Sequence, residues 1–309
     1  MKKVNILMPT YNGEKYIREQ LDSLINQTYR NIDIYIRDDG STDNTVEIIK
    51  EYCNKNISGI KFILVDSDGK NLGYPDCFWE LVKKSDDADY YSFCDQDDYW
   101  EPTKIETCVA HLERVDNTKP AMCFCRFDYY DGNMKYIRDG ENYAGVNFTF
   151  KQGMYYTFAP GFTQIVNRSL IENLNIDYIY GKKVAHDLWC QWIATALGTV
   201  IFEPGIQAKY RRHEAAVTSG NKNIISSIKE WWKKEINGTS MVVWTNCLNY
   251  FFELYGNQLE FRDRNIFSIF VNSKNTIFTT LRKTFHLGRF RPSIGGELAL
   301  RILFLLRKC

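Results

Sequence analysis

The chain has 309 residues, 44% of them hydrophobic, enough for one large core plus an appendage or for two domains. The balance of 39 Lys and Arg against 38 Asp and Glu hides an asymmetry: Asn272 to Cys309 holds eight basic residues against one acid, Glu297, leaving 31 basic and 37 acidic residues before it. Apolar residues are interleaved with that basic tail, which argues against a nucleic-acid partner and for a membrane surface.

In chain order, Val4 to Met8 reads as a first strand, stopped by Pro9, and Pro9-Thr-Tyr-Asn-Gly13 as a loop of turn formers and hydroxyls. A helix follows over residues 14–26, with Ile17, Leu21, Leu24 and Ile25 on one face. Ile32 to Ile36 alternates into a second strand ending in Arg37-Asp-Asp-Gly-Ser-Thr-Asp43; Asp43 or Asn44 can cap the next helix, which turns Val46, Ile49 and Tyr52 inward. Ile60 to Val65 makes a third strand, followed by a polar loop, Asp66 to Asn71, and a helix over 76–83. Tyr90 to Cys94 is a buried strand that ends abruptly in Asp95, Asp97 and Asp98. Residues two apart on an extended chain share a face, so Asp95 and Asp97 can converge, with Asp98 turning off beside them. Carboxylates that close repel; a hard divalent cation, Mg or Mn, would compensate, although the run alone reads equally well as a solvated acidic turn. The βαβαβαβ order predicts a parallel sheet whose ligands bind outside the carboxyl ends of the strands. The loops at Pro9, Asp38, Asp66 and Asp95 should therefore share one crevice. No GxGxxG or GxxxxGK[ST] follows the first strand, which excludes the usual dinucleotide site and the P-loop.

Ala121 to Phe127 continues as a strand, Asp128 to Phe148 as an irregular aromatic segment, and Phe158 to Asn167 as strand around Pro160-Gly161. His186-Asp187 heads a helical run from Leu188 to Leu197, where an Asp in the first turn is favourable for the helix dipole whatever else it does. Thr199 to Phe202 is a strand, and Lys209-Tyr-Arg-Arg-His213 a basic element leading into a polar loop. The last third holds helical stretches rich in aromatic and basic residues, Ile228 to Lys234, Val242 to Leu254, Ile277 to Leu287 and Leu298 to Leu306. These either lie in a membrane interface, pack on the first domain or form a homodimer contact.

Met8-Pro-Thr-Tyr-Asn-Gly13, Asn26-Gln-Thr-Tyr29, Arg37-Asp-Asp-Gly-Ser-Thr-Asp43 and Asp95-Gln-Asp-Asp98, in this order and spacing, resemble family 2 glycosyltransferases of the GT-A fold over roughly the first two thirds of the chain. The resemblance implies an α/β GT-A domain over residues 1–220 that binds a nucleotide-diphosphate sugar, with a helical, basic region over 221–309. It implies donor contacts from Pro9, Thr10, Tyr11, Asn12, Asp39, Asn71 and Asp95, with Thr10 and Asn12 along the nucleotide and Asp39 accepting from the base. It places Mg or Mn on Asp97, with Asp95 or Asp98, and the diphosphate near Arg211, Arg212 and His213, which also counts among the metal ligands; which of these three faces inward stays open. Gly161, Phe162 and Trp189 fall on the acceptor side. Asp187 is expected to be the general base of an inverting transfer; its neighbour His186 departs from the family's usual Glu.

Cys-Asp-Gln-Asp-Asp, His-Asp-x-Trp and Tyr-Arg-Arg-His together look most like bacterial polysaccharide rhamnosyltransferases, which implies dTDP-L-rhamnose as donor and a lipid-linked glycan as acceptor. Relatives using UDP-hexoses share these motifs. A nucleotidyltransferase lacks support because no Gly-rich loop with Arg and Lys follows the first strand, and a non-catalytic scaffold because every expected carboxylate is present. Nine cysteines without CxxC spacing, several in apolar runs (Cys94, Cys123, Cys125, Cys190), read as small hydrophobic fillers in a reducing cytoplasm. The N-terminal apolar run is too short for a signal peptide, and Ile302 to Leu306 far too short to span a bilayer, so a cytoplasmic, peripheral protein is expected.

Overall fold

The computed structural model describes residues 1–213, 238, 240–271 and 276–308. The first half follows the predicted alternation: β1 Val4–Thr10, α1 Ile17–Ile25, β2 Ile32–Asp38, α2 Thr45–Cys53, β3 Ile60–Val65, α3 Asp76–Lys84 and β4 Tyr90–Phe93. These strands form the parallel run β3-β2-β1-β4, with Val4 opposite Ile32 and Tyr90, and Ile32 opposite Ile60. Both faces of β1 are covered, which is why it reads as a continuous apolar run rather than an alternation. Helix α1 turns Ile17, Leu21 and Leu24 into the core, with Gln20 and Ser23 buried beside them. In α2, Ile48, Ile49 and Tyr52 point inward, whereas Val46 stays half-buried. The Asp43 carboxylate accepts from the Thr45 N–H at 3.0 Å, so Asp43 and not Asn44 satisfies that helix start.

After β4 come β5 Tyr99–Trp100, α4 Lys104–Leu112, β6 Ala121–Asp131 and β7 Tyr136–Asp139, so part of the stretch expected to be irregular is strand. Short helices α5 Phe150–Gly153, α6 Arg168–Glu172 and α7 Ile176–Ile179, the strand β8 Gln164–Asn167, and α8 His186–Leu197 lead to β9 Thr199–Arg212. The sheet continues β4-β8-β6-β9-β5, antiparallel at β4/β8, β8/β6 and β9/β5 and parallel at β6/β9, with β7 on β6. Strand β9 carries on past Pro204-Gly205, with register shifts against β6 at Arg126, so the basic element Lys209–Arg212 lies on its second half.

The chain divides into two compact units. The first is Met1–Asn147, Ala159–Ala194 and the described part of Gly198–Ser219; it contains the whole sheet. The second is Phe148–Phe158, Thr195–Leu197 and the described part of Gly220–Cys309. Its helices are α5, α9 Ser240–Tyr255, α10 Phe261–Phe267, α11 Ile277–Thr284 and α12 Ile294–Leu305, packed through rings such as Phe150 on Phe251 and Phe270 on Phe290. The expected helix from Ile228 to Lys234 lies outside the described residues. No helix among the described residues is long and apolar enough to cross a membrane. Of the eight described cysteines, all free, seven are buried.

Candidate active site

Four strand ends and two later segments meet in the first unit. The loop after β1 is held to the loop after β2: the Asn12 N–H donates to Ser41 Oγ at 2.8 Å, the Thr42 N–H to Asn12 Oδ1 at 2.8 Å, and the Gly13 N–H to Thr45 Oγ1 at 2.8 Å. Asn12 takes the left-handed conformation there, φ 46°, which Asn tolerates better than most residues. Asp38 collects the Gly40 and Ser41 N–H groups and the hydroxyls of Thr10 and Ser41. Asp39 accepts from the Leu72 N–H at 2.8 Å and the Gly73 N–H at 2.7 Å and pairs with buried Arg37, whose guanidinium also donates to Lys70 O. The oxygens of Asp38 and Asp39 are thereby taken up inside their own scaffold, and Arg37 balances the charge of Asp39.

The loop after β4 is different. Asp95, Asp97 and Asp98 lie in a turn, not on the strand itself. Asp98 is fully buried; its Oδ1 accepts from the Arg211 N–H at 3.0 Å, and its Oδ2 has no hydrogen-bond partner. Burial, then repulsion from Asp97 and Asp95, raises its pKa well above the carboxylate range. Burial and the charges of Asp97 and Asp187 push Asp95 up to about 7. The Asp97 Oδ2 stands 2.8 Å from His213 Nε2, and the His213 ring lies against Tyr16 at 4.6 Å. Thus Asp95 feels the charges of Asp97 and Asp187, and Asp98 those of Asp97 and Asp95, with His213 on Asp97.

Asp187 lies in the first turn of α8, and its charge is felt by Asp95. Its Oδ1 accepts from the Leu188 N–H at 2.8 Å, and the Tyr74 hydroxyl stands 3.5 Å away. Burial raises its pKa to about 6, partly offset by backbone N–H groups that include Gly161. His186 beneath it is buried, stacked on Phe78 at 3.9 Å and beside Phe93, with both ring nitrogens unpartnered. Burial drives its pKa down to about 3, so this histidine stays neutral. Gly161 packs directly on that imidazole, where a Cβ would collide with Nε2.

Several expected site residues stand elsewhere. Phe162 is in the core, stacked face to face on Tyr210 at 5.1 Å, and Trp189 is fully buried with its indole N–H donating to Leu174 O at 2.9 Å. Neither presents a face to an acceptor; their apolar rings are worth more inside. Arg211 is buried as well: it donates to Asp97 O at 2.7 Å and Gly132 O at 3.1 Å and pairs with Glu19, bracing the acidic turn from behind. Arg212, next along the strand, is half-buried with its guanidinium 5.9 Å from the Tyr129 ring. The Thr10 hydroxyl is used on Asp38, Pro9 sits within β1 opposite Arg37, Tyr11 is exposed, and Asn71 is exposed just before the N–H pair that Asp39 accepts.

Four side chains escaped the sequence reading. Gln96 donates to Tyr11 O and accepts from the Tyr11 N–H, both at 2.9 Å, which locks two loops together. Tyr74 reaches Asp187. Arg37 neutralises Asp39. Lys104, fully buried, holds its ammonium 2.9 Å from the centre of the Trp100 ring and interacts electrostatically with Asp95 and Asp98. The only sequence signal for Lys104 was its place at a helix start just after the acids.

A family model described as glycosyl transferase family 2 matches residues 5–174, more than half of the chain. The dTDP-rhamnosyl transferase RfbG of Shigella flexneri is 29% identical over 245 residues, 74% of this chain and 82% of that protein. The UDP-Glc:alpha-D-GlcNAc-diphosphoundecaprenol beta-1,3-glucosyltransferase WfaP of Escherichia coli is 27% identical over 229 residues, 72% of this chain and 82% of that one. Among solved structures, S. aureus TarS 1-349 in complex with UDP-GlcNAc matches with a TM-score of 0.57 and 16% identity, over 99% of this chain and 89% of that one. GalNAc-T7 with UDP, GalNAc and Mn2+ matches with a TM-score of 0.54 and 13% identity, over 81% and 51%. At these identities the likeness concerns the fold, an α/β sheet of the GT-A glycosyltransferase type.

Proposed function

Because this chain belongs to glycosyl transferase family 2, we propose that it is an inverting, metal-dependent sugar transferase of bacterial cell-surface polysaccharide synthesis. The donor on this reading is dTDP-L-rhamnose, and the acceptor a hydroxyl of a lipid-linked glycan at the inner face of the membrane. The observation that carries the chemistry is the division of the acids: Asp187, one carboxylate in the first turn of α8 held near pKa 6, and a separate cluster after β4 whose member Asp95 feels its charge. An inverting displacement needs that division. Asp187 takes the proton of the acceptor hydroxyl, the oxygen bonds to the anomeric carbon, and the carbon–oxygen bond to the diphosphate breaks with its electron pair leaving on phosphate. The Tyr74 hydroxyl and the N–H groups at the head of α8 orient the base.

Asp97, with Asp95 or Asp98 and with His213, would hold the divalent metal. Among the described residues no three His, Cys, Asp or Glu side chains already stand in metal-holding geometry. The donor set nevertheless fits a hard ion: oxygen-rich, mutually repelling, with Asp98 Oδ2 buried and unpartnered. A bound Mg or Mn supplies charge that offsets the leaving diphosphate. Arg211 serves this site by holding the turn, and Asp39 by ordering the backbone of Leu72 and Gly73 beside the nucleotide.

Similarity to RfbG supports rhamnose; similarity to WfaP supports a second reading, a UDP-hexose donor on the same scaffold and an acceptor linked to a polyprenyl diphosphate. Thermal shift against a panel of nucleotide-sugars, with and without Mn or Mg, separates them, since a ligand of the folded state raises the melting temperature by mass action. Metal-dependent stabilisation by dTDP-L-rhamnose is expected. Stabilisation by a UDP-sugar instead replaces the donor and keeps the chemistry, and no response to any donor removes the transferase reading.

A further inference from the structure

Helix α11 is amphipathic the wrong way round for a helix in water. It buries Thr280, Lys283 and Thr284 and exposes Ile277, Phe278 and Leu281, followed by exposed Phe285 and Leu287; Phe278 is 73% and Leu287 87% exposed. A water-facing helix normally hides its apolar stripe. Helix α12 adds a second row: it buries Leu300, Leu303 and Phe304 but also exposes Ile294, Leu298, Ile302 and Leu305 at helical spacing. Large exposed apolar patches mark interaction surfaces.

The pair is built to hold these rows outward. Glu297, the one acid in residues 276–308, is buried; its Oε2 accepts from the Phe290 and Arg291 N–H groups at 2.8 and 2.9 Å. Arg301 bonds Glu297 at 2.6 Å and donates to Thr284 O at 2.7 Å and Gly288 O at 2.8 Å, tying the end of α11 and the connection to α12. That pair is structural. The exposed charges over residues 276–308 are Arg282, Arg289, Arg307 and Lys308, all positive. Apolar rows among exposed cations, with no exposed acid, complement an anionic lipid surface rather than another copy of the same basic face.

We propose that the outward faces of α11 and α12 dock the protein on an anionic phospholipid bilayer. This deepens, and rests on, the reading that the enzyme works at the membrane. The aromatic and aliphatic side chains enter the headgroup boundary, and the four cations stay in the headgroup layer.

The test is co-sedimentation of the full chain with vesicles of phosphatidylcholine mixed with phosphatidylglycerol, against phosphatidylcholine alone. Salt-sensitive binding to the mixed vesicles and at least tenfold weaker binding to neutral ones are expected. Arg282→Gln, Arg289→Gln and Arg307→Gln should each weaken binding roughly fivefold, and Phe278→Ser with Phe285→Ser should abolish it. The exposed Arg variants keep the test valid should the Ser pair misfold, and the donor-induced melting shift reports separately on the sugar site. Vesicle binding that is absent, or indifferent to all these changes, overturns the docking surface while leaving the transferase reading to its own assay. Self-association lost in the Phe variants, with no vesicle binding, would assign the face to a second copy and also overturn it. Normal vesicle binding with no donor response upholds the surface and sinks the transferase reading instead.

Discussion

Two acidic loops lie at the ends of the two parallel strands that flank β1, and the chain resolves them in opposite ways. Asp38 and Asp39, on β2 and just past it, are saturated by four backbone N–H groups, two hydroxyls and Arg37. Asp95, Asp97 and Asp98, past β4, repel one another, and Asp95 also feels Asp187; one oxygen of Asp98 has no partner and the pKa values of Asp95 and Asp98 are driven upward. A carboxylate whose lone pairs are all used by its own backbone is part of the fold. Carboxylates held against one another are charge kept for something that arrives later.

The contrast breaks if variants in the two loops behave alike. The largest effects should come from the second group: Asp187→Asn and Asp97→Asn are each expected to lower turnover by roughly 10²–10⁴-fold. Asp187→Asn should keep the donor-induced melting shift, and Asp97→Asn should lose its metal dependence, while neither lowers the melting temperature of the free protein. Next comes Asp38→Ala, which strips partners from buried N–H and O–H groups and should cost about 3–5 kcal/mol in denaturant unfolding with the fold of neighbouring loops lost first. Unchanged stability there would mean that the hydrogen bonds of Asp38 do not hold the first loop.

Smaller and opposite in sign is Asp95→Asn. A carboxyl raised from 3.8 to about 7 in the folded state binds more protons folded than unfolded, so its ionisation lowers stability as pH rises through that window. The variant should match the parent near pH 4 and be the more stable of the two at pH 8 in denaturant unfolding, although its turnover falls. Smallest of all is a shape: kcat/KM should rise with pH and level off above about 6, the point set by Asp187, and Asp187→Asn should flatten that rise.

The parallel half of the sheet was legible because strands covered on both faces are continuous apolar runs punctuated by loops of Pro, Gly and Asp. Strand β9 was not: its second half pairs with β5, a non-local contact, and Pro204-Gly205 looks like a stop when it is an irregularity within the strand. Motif order found the acids, yet could not say which oxygens the backbone would claim. Helix α8 shows the other limit. From His186 and Leu188 to Ala194 nearly every residue is buried, so periodicity could not tell that Trp189 faces the core rather than the crevice. Lys104 and Tyr74 drew no notice because a lysine at a helix start and a tyrosine in a loop are ordinary until their neighbours are known.

The carboxamide of Gln96 has one more consequence. It bonds both backbone groups of Tyr11, and a Cβ on Gly13 would run into it. The first loop and the acidic turn are therefore inherited as a matched set. Anyone seeking to retune donor choice by transplanting segments from a relative should exchange residues 9–13 and 95–98 in one piece, because either half alone would arrive with a mate of the wrong shape.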